Sequence, residues 1–182
     1  MKKITFLTAI GFIFSLAIQA QALTTTAIKE QLVKEWQRAK EYTIDYLNTM
    51  PADKYSFKPV DSIRSFAQQM LHLSQGNAFL MSNATDQKPP AFFQSNLEGS
   101  VSAQKKDSVM YYVTASYDYC INAVKELPLD KWGEKKKLFG FEETRFALLM
   151  KTFEHQTHHR GQTTIYIRLQ GIKPPQERLF EK

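Results

Sequence analysis

At 182 residues and a formal charge of +6, the chain is long enough for one domain with a real core. Its 24 basic and 18 acidic residues are mixed along the sequence, apart from Lys135-Lys136-Lys137, which reads as a solvated run. That distribution carries no nucleic-acid footprint. The single cysteine, Cys120, excludes an intrachain disulfide, has no CxxC or HxC spacing to bring it to a metal, and reads as a buried, inert thiol.

The first 22 residues are set apart from the fold. Lys2 and Lys3 precede an apolar run from Ile4 to Ile18, and Ala20-Gln21-Ala22 supplies a small-x-small cleavage site. This is the pattern of a secretory signal peptide, residues 1–22, cut after Ala22. Cleavage leaves a domain of residues 23–182 with a formal charge of +4, because Lys2 and Lys3 leave with the signal. The expected product is an exported protein, periplasmic or extracellular, soluble and with no membrane span after cleavage.

Four helical segments follow. The first runs from Leu23 to Asn48, with Ile28, Leu32, Trp36 and Ala39 near a 3.6 period, and Met50-Pro51 ends it. Ala52 to Arg64 is a connection in which Tyr55 and Phe57 alternate with polar residues, as in a short extended piece. Ser65-Phe66-Ala67-Gln68 has the spacing of a capping box and opens a second helix to about Met81. A loop with Pro89-Pro90 and two phenylalanines, Phe92 and Phe93, leads to a third helix, Ser102 to Glu126, closed by Pro128. Leu129 to Glu143 contains Gly133 and Gly140 and reads as a turn or short hairpin. The fourth helix, Arg145 to Gln170, is about 39 Å long at the usual rise and stops at Gly171, with Pro174-Pro175 beyond. Four long amphipathic segments joined by long connections predict an all-α four-helix bundle with crossover links.

The chemistry concentrates in the last helix. Of 4 histidines, three lie in His155-Gln156-Thr157-His158-His159-Arg160-Gly161-Gln162. His155 and His159 are spaced i, i+4, so their imidazoles stand on one face and can share a metal ion. The same face reads Leu148, Thr152, His155, His159, Gln162, Tyr166, Leu169, a core stripe with a polar middle. His158 is an i, i+3 alternative to His159, less well aligned with His155. A third ligand must come from another helix, and His72 is the remaining histidine. The helical wheel puts it on the solvent side of the second helix, so it can ligate only if that side lines a cleft. HExxH, HxxEH, GxSxG, Walker and GxGxxG motifs are absent, and no general base is placed by motif.

The block from His155 to Gln162, followed by Tyr166-Ile167-Arg168-Leu169-Gln170-Gly171-Ile172-Lys173-Pro174-Pro175, resembles the last helix of the DinB/YfiT-like superfamily. The stretch from Phe66 to His72-Leu73 resembles its second helix. The resemblance covers nearly the whole mature chain. It implies an up-down-down-up four-helix bundle and a divalent metal held by His72, His155 and His159. Zinc or nickel are the foremost candidates, with iron, manganese and copper also compatible with three imidazoles. It places Gln162 and Tyr166 where they can hydrogen-bond a ligand, or in Tyr166's case pack between helices. Gly161 is expected to allow close helix approach, and Arg160 to form an interhelical ion pair. Relatives include thiol-dependent transferases and isomerases, and the family often dimerises through bundle faces. The expectation is a metal-dependent hydrolase or thiol transferase acting on a small-molecule substrate through a metal-bound water or thiol. The alternatives are a metal- or small-ligand-binding module without turnover and a metal-free interaction bundle. Homodimers are the expected assembly.

Overall fold

The computed structural model describes residues 23–180, so the expected signal peptide lies outside the described residues. Four helices form the bundle: α1 Thr25–Thr49, α2 Phe66–Thr85, α3 Lys106–Glu126 and α4 Arg145–Leu169. A hairpin, β1 Lys135–Leu138 and β2 Phe141–Thr144, precedes α4.

Side-chain caps fix three of the helix starts. Thr24 and Thr144 accept from the amides of Ala27 and Ala147, each at 3.1 Å. Ser65 and Gln68 form the reciprocal capping box read from the sequence. α3 lacks a side-chain cap at Lys105, and it starts four residues later than its apolar period predicts. α2 runs one turn past Met81 and stops at Asp86, which takes a left-handed conformation at φ 61°. Asp86 then bonds Lys136 at 2.6 Å and Arg145 at 2.7 Å, tying the hairpin and α4 to the end of α2.

Contacts between named residues give the helix directions. Lys29 reaches the Leu127 carbonyl, Thr43 meets Tyr117 and Lys106 reaches the Met50 carbonyl, so α1 and α3 are antiparallel. Trp36 meets Phe153 and Tyr46 meets Thr164, so α1 and α4 are parallel. Arg145 donates to the Ala84 carbonyl while Gln69 meets His159, so α2 and α4 are antiparallel. The order is up-down-down-up, with long links crossing between non-adjacent ends. Trp36 is fully buried between α1, α3 and α4, in edge contact with Tyr117 and Phe153 at centroid distances of 5.7 and 5.3 Å. Burying a side chain of this size contributes about 2–3 kcal/mol. Met70, Leu71, Leu73 and Met81 of α2 and Leu149 and Ile167 of α4 complete the centre of the core.

The connections carry the corrections. Ala52–Lys54 is a 3-10 turn, and Tyr55 after it is helical at φ −64° and ψ −29°, so the short extended piece read from the Tyr55/Phe57 alternation does not form. Tyr55 turns inward and donates to the Leu47 carbonyl at 2.7 Å, and Phe57 packs edge-on to Tyr166. Phe93 is buried and Phe92 lies among Phe93, Tyr111 and Tyr112, so this apolar loop is packing. The expected hairpin is present, with Lys136 opposite Glu143 and Lys137 opposite Glu142. Cys120 is buried against the Asn77 carbonyl, and burial raises its thiol pKa. No helix among the described residues is long and apolar enough to cross a membrane.

Candidate metal centre

The α2–α4 interface brings three imidazoles together. His155 and His159 stand one turn apart on α4, with ring centroids 4.4 Å apart. His72 of α2 faces them at 5.6 and 4.5 Å. One ring nitrogen from each histidine falls within 4.8 Å of the other two. His72 is half-buried, and the side of α2 that carries it lines a cleft against α4. The helical wheel called that side solvent-facing because its polar residues border the cleft, which periodicity cannot distinguish from bulk water.

Hydrogen bonds orient two of the rings. His72 Nδ1–H donates to the Glu98 carboxylate at 2.7 Å, which leaves the Nε2 lone pair free. Glu98 is held from its other oxygen by Arg64 at 2.6 Å. The Gln69 amide meets His159 Nδ1 at 2.7 Å and bonds the Gln162 amide, which in turn meets the exposed His158 at 2.9 Å. An amide presents a donor and an acceptor of nearly equal shape, so this row runs in either direction. With the Gln69 oxygen on His159 Nδ1–H, the His159 Nε2 lone pair is free as well. Tyr166 is engaged elsewhere than at the histidines. Its hydroxyl donates to the Arg64 carbonyl at 2.9 Å and its ring packs on Phe57 and Phe66.

The electrostatics favour neutral rings. Burial, reinforced by His72 and His158, pushes His155 down to about 4. Burial, reinforced by His155 and His72, pushes His159 down to about 3. At neutral pH both therefore present lone pairs, as metal ligation requires. Burial opposes the charge on Glu98, but the hydrogen bonds from Arg64 and His72 outweigh it and hold its carboxyl below the usual range. The buried His155 Nδ1 has no hydrogen-bond partner among the described residues. An orphaned buried nitrogen on one of three clustered imidazoles fits a cation-binding site.

Two motif residues play other parts than expected. Arg160 is buried and makes no ion pair among the described residues. It donates to Gln156 at 2.8 Å, to the Ala39 carbonyl and Thr43 at 3.4 Å, and lies 4.7 Å from the Tyr42 ring centre. Gly161 is exposed, and a Cβ there would meet nothing within 4 Å, so it does not serve helix approach. Glu98 and Arg64 were missed from the sequence because both sit in connections with no spacing relation to His72. Gln69 was missed because it meets His159 only across the α2–α4 interface, a proximity that spacing within one helix does not show.

The cluster lies between two unlike clefts. One, about 820 Å³, is polar, with Arg64, Gln69, Glu98 and Gln162 in its wall. The other, about 550 Å³, contains His72 and His155 beside Phe79, Leu80 and Phe139. Leu80 and Phe139 also line an apolar groove of about 450 Å³ under the hairpin.

Known proteins share this arrangement of helices. A DinB-like protein from Bacillus cereus superposes with a TM-score of 0.70 at 18% identity, covering 81% of this chain and 96% of that one. The DinB-like protein YjoA from Bacillus subtilis superposes with a TM-score of 0.57 at 20% identity, covering 82% of this chain and 96% of that one. In sequence, the uncharacterized protein YjoA of Bacillus subtilis is 24% identical over 141 residues, 78% of this chain and 90% of its own. At these identities the structural likeness is one of fold. The model of the DinB family matches residues 21–180, which spans all four helices and every histidine of the cluster, and the chain belongs to the DinB family.

Proposed function

We propose that the chain binds a divalent transition metal through His72, His155 and His159 and acts on a small molecule there. The observation that carries this is the convergence of three ring nitrogens, from two helices, within 4.8 Å. Three neutral imidazoles suit zinc or nickel foremost, with iron or manganese as alternatives. A bound divalent cation supplies a Lewis acid that lowers the pKa of a water or thiol. The chain's own residues do the rest. Glu98 fixes the His72 tautomer, Gln69 orients His159, and the apolar cleft of Phe79, Leu80 and Phe139 receives a hydrocarbon part of the substrate while excluding water.

Hydrolysis and thiol transfer are the two reactions this centre supports. Binding without turnover is the second reading, favoured by Glu98 being engaged by both Arg64 and His72 and so not free as a base. The proposal includes export and homodimerisation. Export rests on the Lys2 to Ala22 pattern; α1 begins at Thr25, so cleavage after Ala22 leaves the first helix whole.

Elemental analysis of natively purified protein tests the metal. One equivalent of a transition metal, lost in His155→Ala and His159→Ala, is expected. Full metal content in both variants would remove the assignment. Hydrolase and thiol-transfer screens on the loaded protein separate turnover from binding, and N-terminal sequencing of protein recovered from the extracellular or periplasmic fraction tests cleavage after Ala22.

A further inference from the structure

α2 holds a glycine in its interior, Gly76, although glycine disfavours a helix relative to alanine. It lies four residues after His72 and so on the same face of the helix. A Cβ at this position would stand 2.0 Å from His155 Cε1 and 2.7 and 2.8 Å from the two ring nitrogens. No rotation of a methyl group relieves such an overlap; the imidazole must leave. Gly161, the glycine inside the histidine motif, has open space at the same test.

We infer that Gly76 is a positioning residue for the metal centre, its missing side chain forming the seat that holds the His155 imidazole against His72 and His159. The inference rests on the proposed metal site for its consequence, but the Gly76–His155 contact is independent of any metal. In Gly76→Ala the flexible ring swings out while the packed α2 backbone stays, because the overlapping atoms are the far end of a side chain. One of three ligands is then lost from the cluster without unfolding the bundle.

The test pairs zinc affinity with a thermal double-mutant cycle on metal-free protein. Zinc affinity, read by competition with a chromophoric chelator, is expected to fall at least about 10–100-fold in Gly76→Ala, since losing a ligand costs no less than losing the outer support of one. Gly161→Ala is expected to keep wild-type affinity and to melt about 2–4 °C higher, the gain of a helix propensity improvement alone. In the cycle, alanine at 76 is expected to stabilise His155→Ala more than it stabilises the wild type, because only there is the seat vacant. Cobalt loading gives a second readout: a changed visible spectrum in Gly76→Ala reports an altered ligand set. Wild-type zinc affinity in Gly76→Ala, or additive melting temperatures in the cycle, would overturn the inference. If the wild type itself fails to take zinc, the metal reading falls, and the cycle still decides whether Gly76 seats His155.

Discussion

Glu98 Oε1 lies 2.7 Å from His72 Nδ1, although 26 residues separate them and Glu98 belongs to no helix. A carboxylate on the far nitrogen of a ligating imidazole fixes its tautomer and raises its basicity. Glu98→Gln keeps the shape and replaces the carboxylate with a weaker acceptor. Zinc affinity is expected to drop about 10–100-fold while one equivalent still binds at saturation. A competition titration reads this; affinity equal to wild type would show that the pair does not support His72.

The depressed histidine pKa values set a pH dependence for the metal-free protein. The unfolded chain takes up protons on these residues near the ordinary value of 6.5, whereas folded His155 and His159 resist protonation until about 4 and about 3. Above pH 6.5 neither state is charged and the two groups are neutral toward stability. As pH falls below that value the unfolded state binds more protons, so the folded state loses stability down to about 4 through His155 and down to about 3 through His159. His159→Ala is expected to flatten part of this decline, and zinc, which keeps the folded rings unprotonated, to raise stability throughout and extend the decline to lower pH without moving its onset, which the unfolded chain sets. Melting temperatures across the window, with and without metal, check both statements. A metal-free melting curve that His159→Ala leaves unchanged would count against the burial of that ring.

The bundle was legible because helix period, caps and punctuation agree with one another along each segment. The Ser65/Gln68 box, the proline after Met50 and Gly171 mark ends without tertiary information. His155 and His159 were legible for the same local reason, four residues being about one helical turn. What was not legible depends on three-dimensional proximity. The side of α2 that carries His72 reads as polar surface, Glu98 arrives from a loop, and Arg160 reads as one half of an interhelical ion pair until Tyr42 and Gln156 enclose it. Gly76 did leave a trace: an interior helix glycine one turn from a histidine.

Arg160 is expected to act on stability and not on metal binding. Its guanidinium spans α4 and α1 and stacks on Tyr42, a contact that contributes about 1–2 kcal/mol when partly desolvated. Arg160→Ala also opens a cavity, although Gln156 keeps a bond from Tyr117 at 2.8 Å. The expected loss is about 2–4 kcal/mol by urea unfolding, with zinc affinity within twofold of wild type. A selective loss of zinc binding with unchanged stability would instead place Arg160 at the centre.

Phe139 allows ligand binding in the cleft to be tested apart from folding. It occupies the two-residue hairpin turn at φ 51°, followed by Gly140 at φ 84°. A bulky residue in that left-handed region destabilises the turn by about 1 kcal/mol, where asparagine is favoured. Its ring is 72% exposed and lies 5.7 Å from Phe79, itself exposed, at the mouth of the cleft that holds His72 and His155. The Phe79–Phe139 pair is therefore an aromatic wall presented to the cleft at a cost in turn geometry. Phe139→Asn is expected to raise stability slightly, and Phe139→Asn with Phe79→Ala to remove the wall. With zinc loaded, a phenylalkyl hydroxamate should bind wild-type protein about tenfold more tightly than acetohydroxamate, the increment of one partly buried aromatic contact. That increment should vanish in the double variant while acetohydroxamate affinity is unchanged, because the histidines are untouched. Equal affinity of the two probes for wild-type protein, or an increment that survives loss of both rings, would show that the hydrocarbon part of the substrate lies elsewhere.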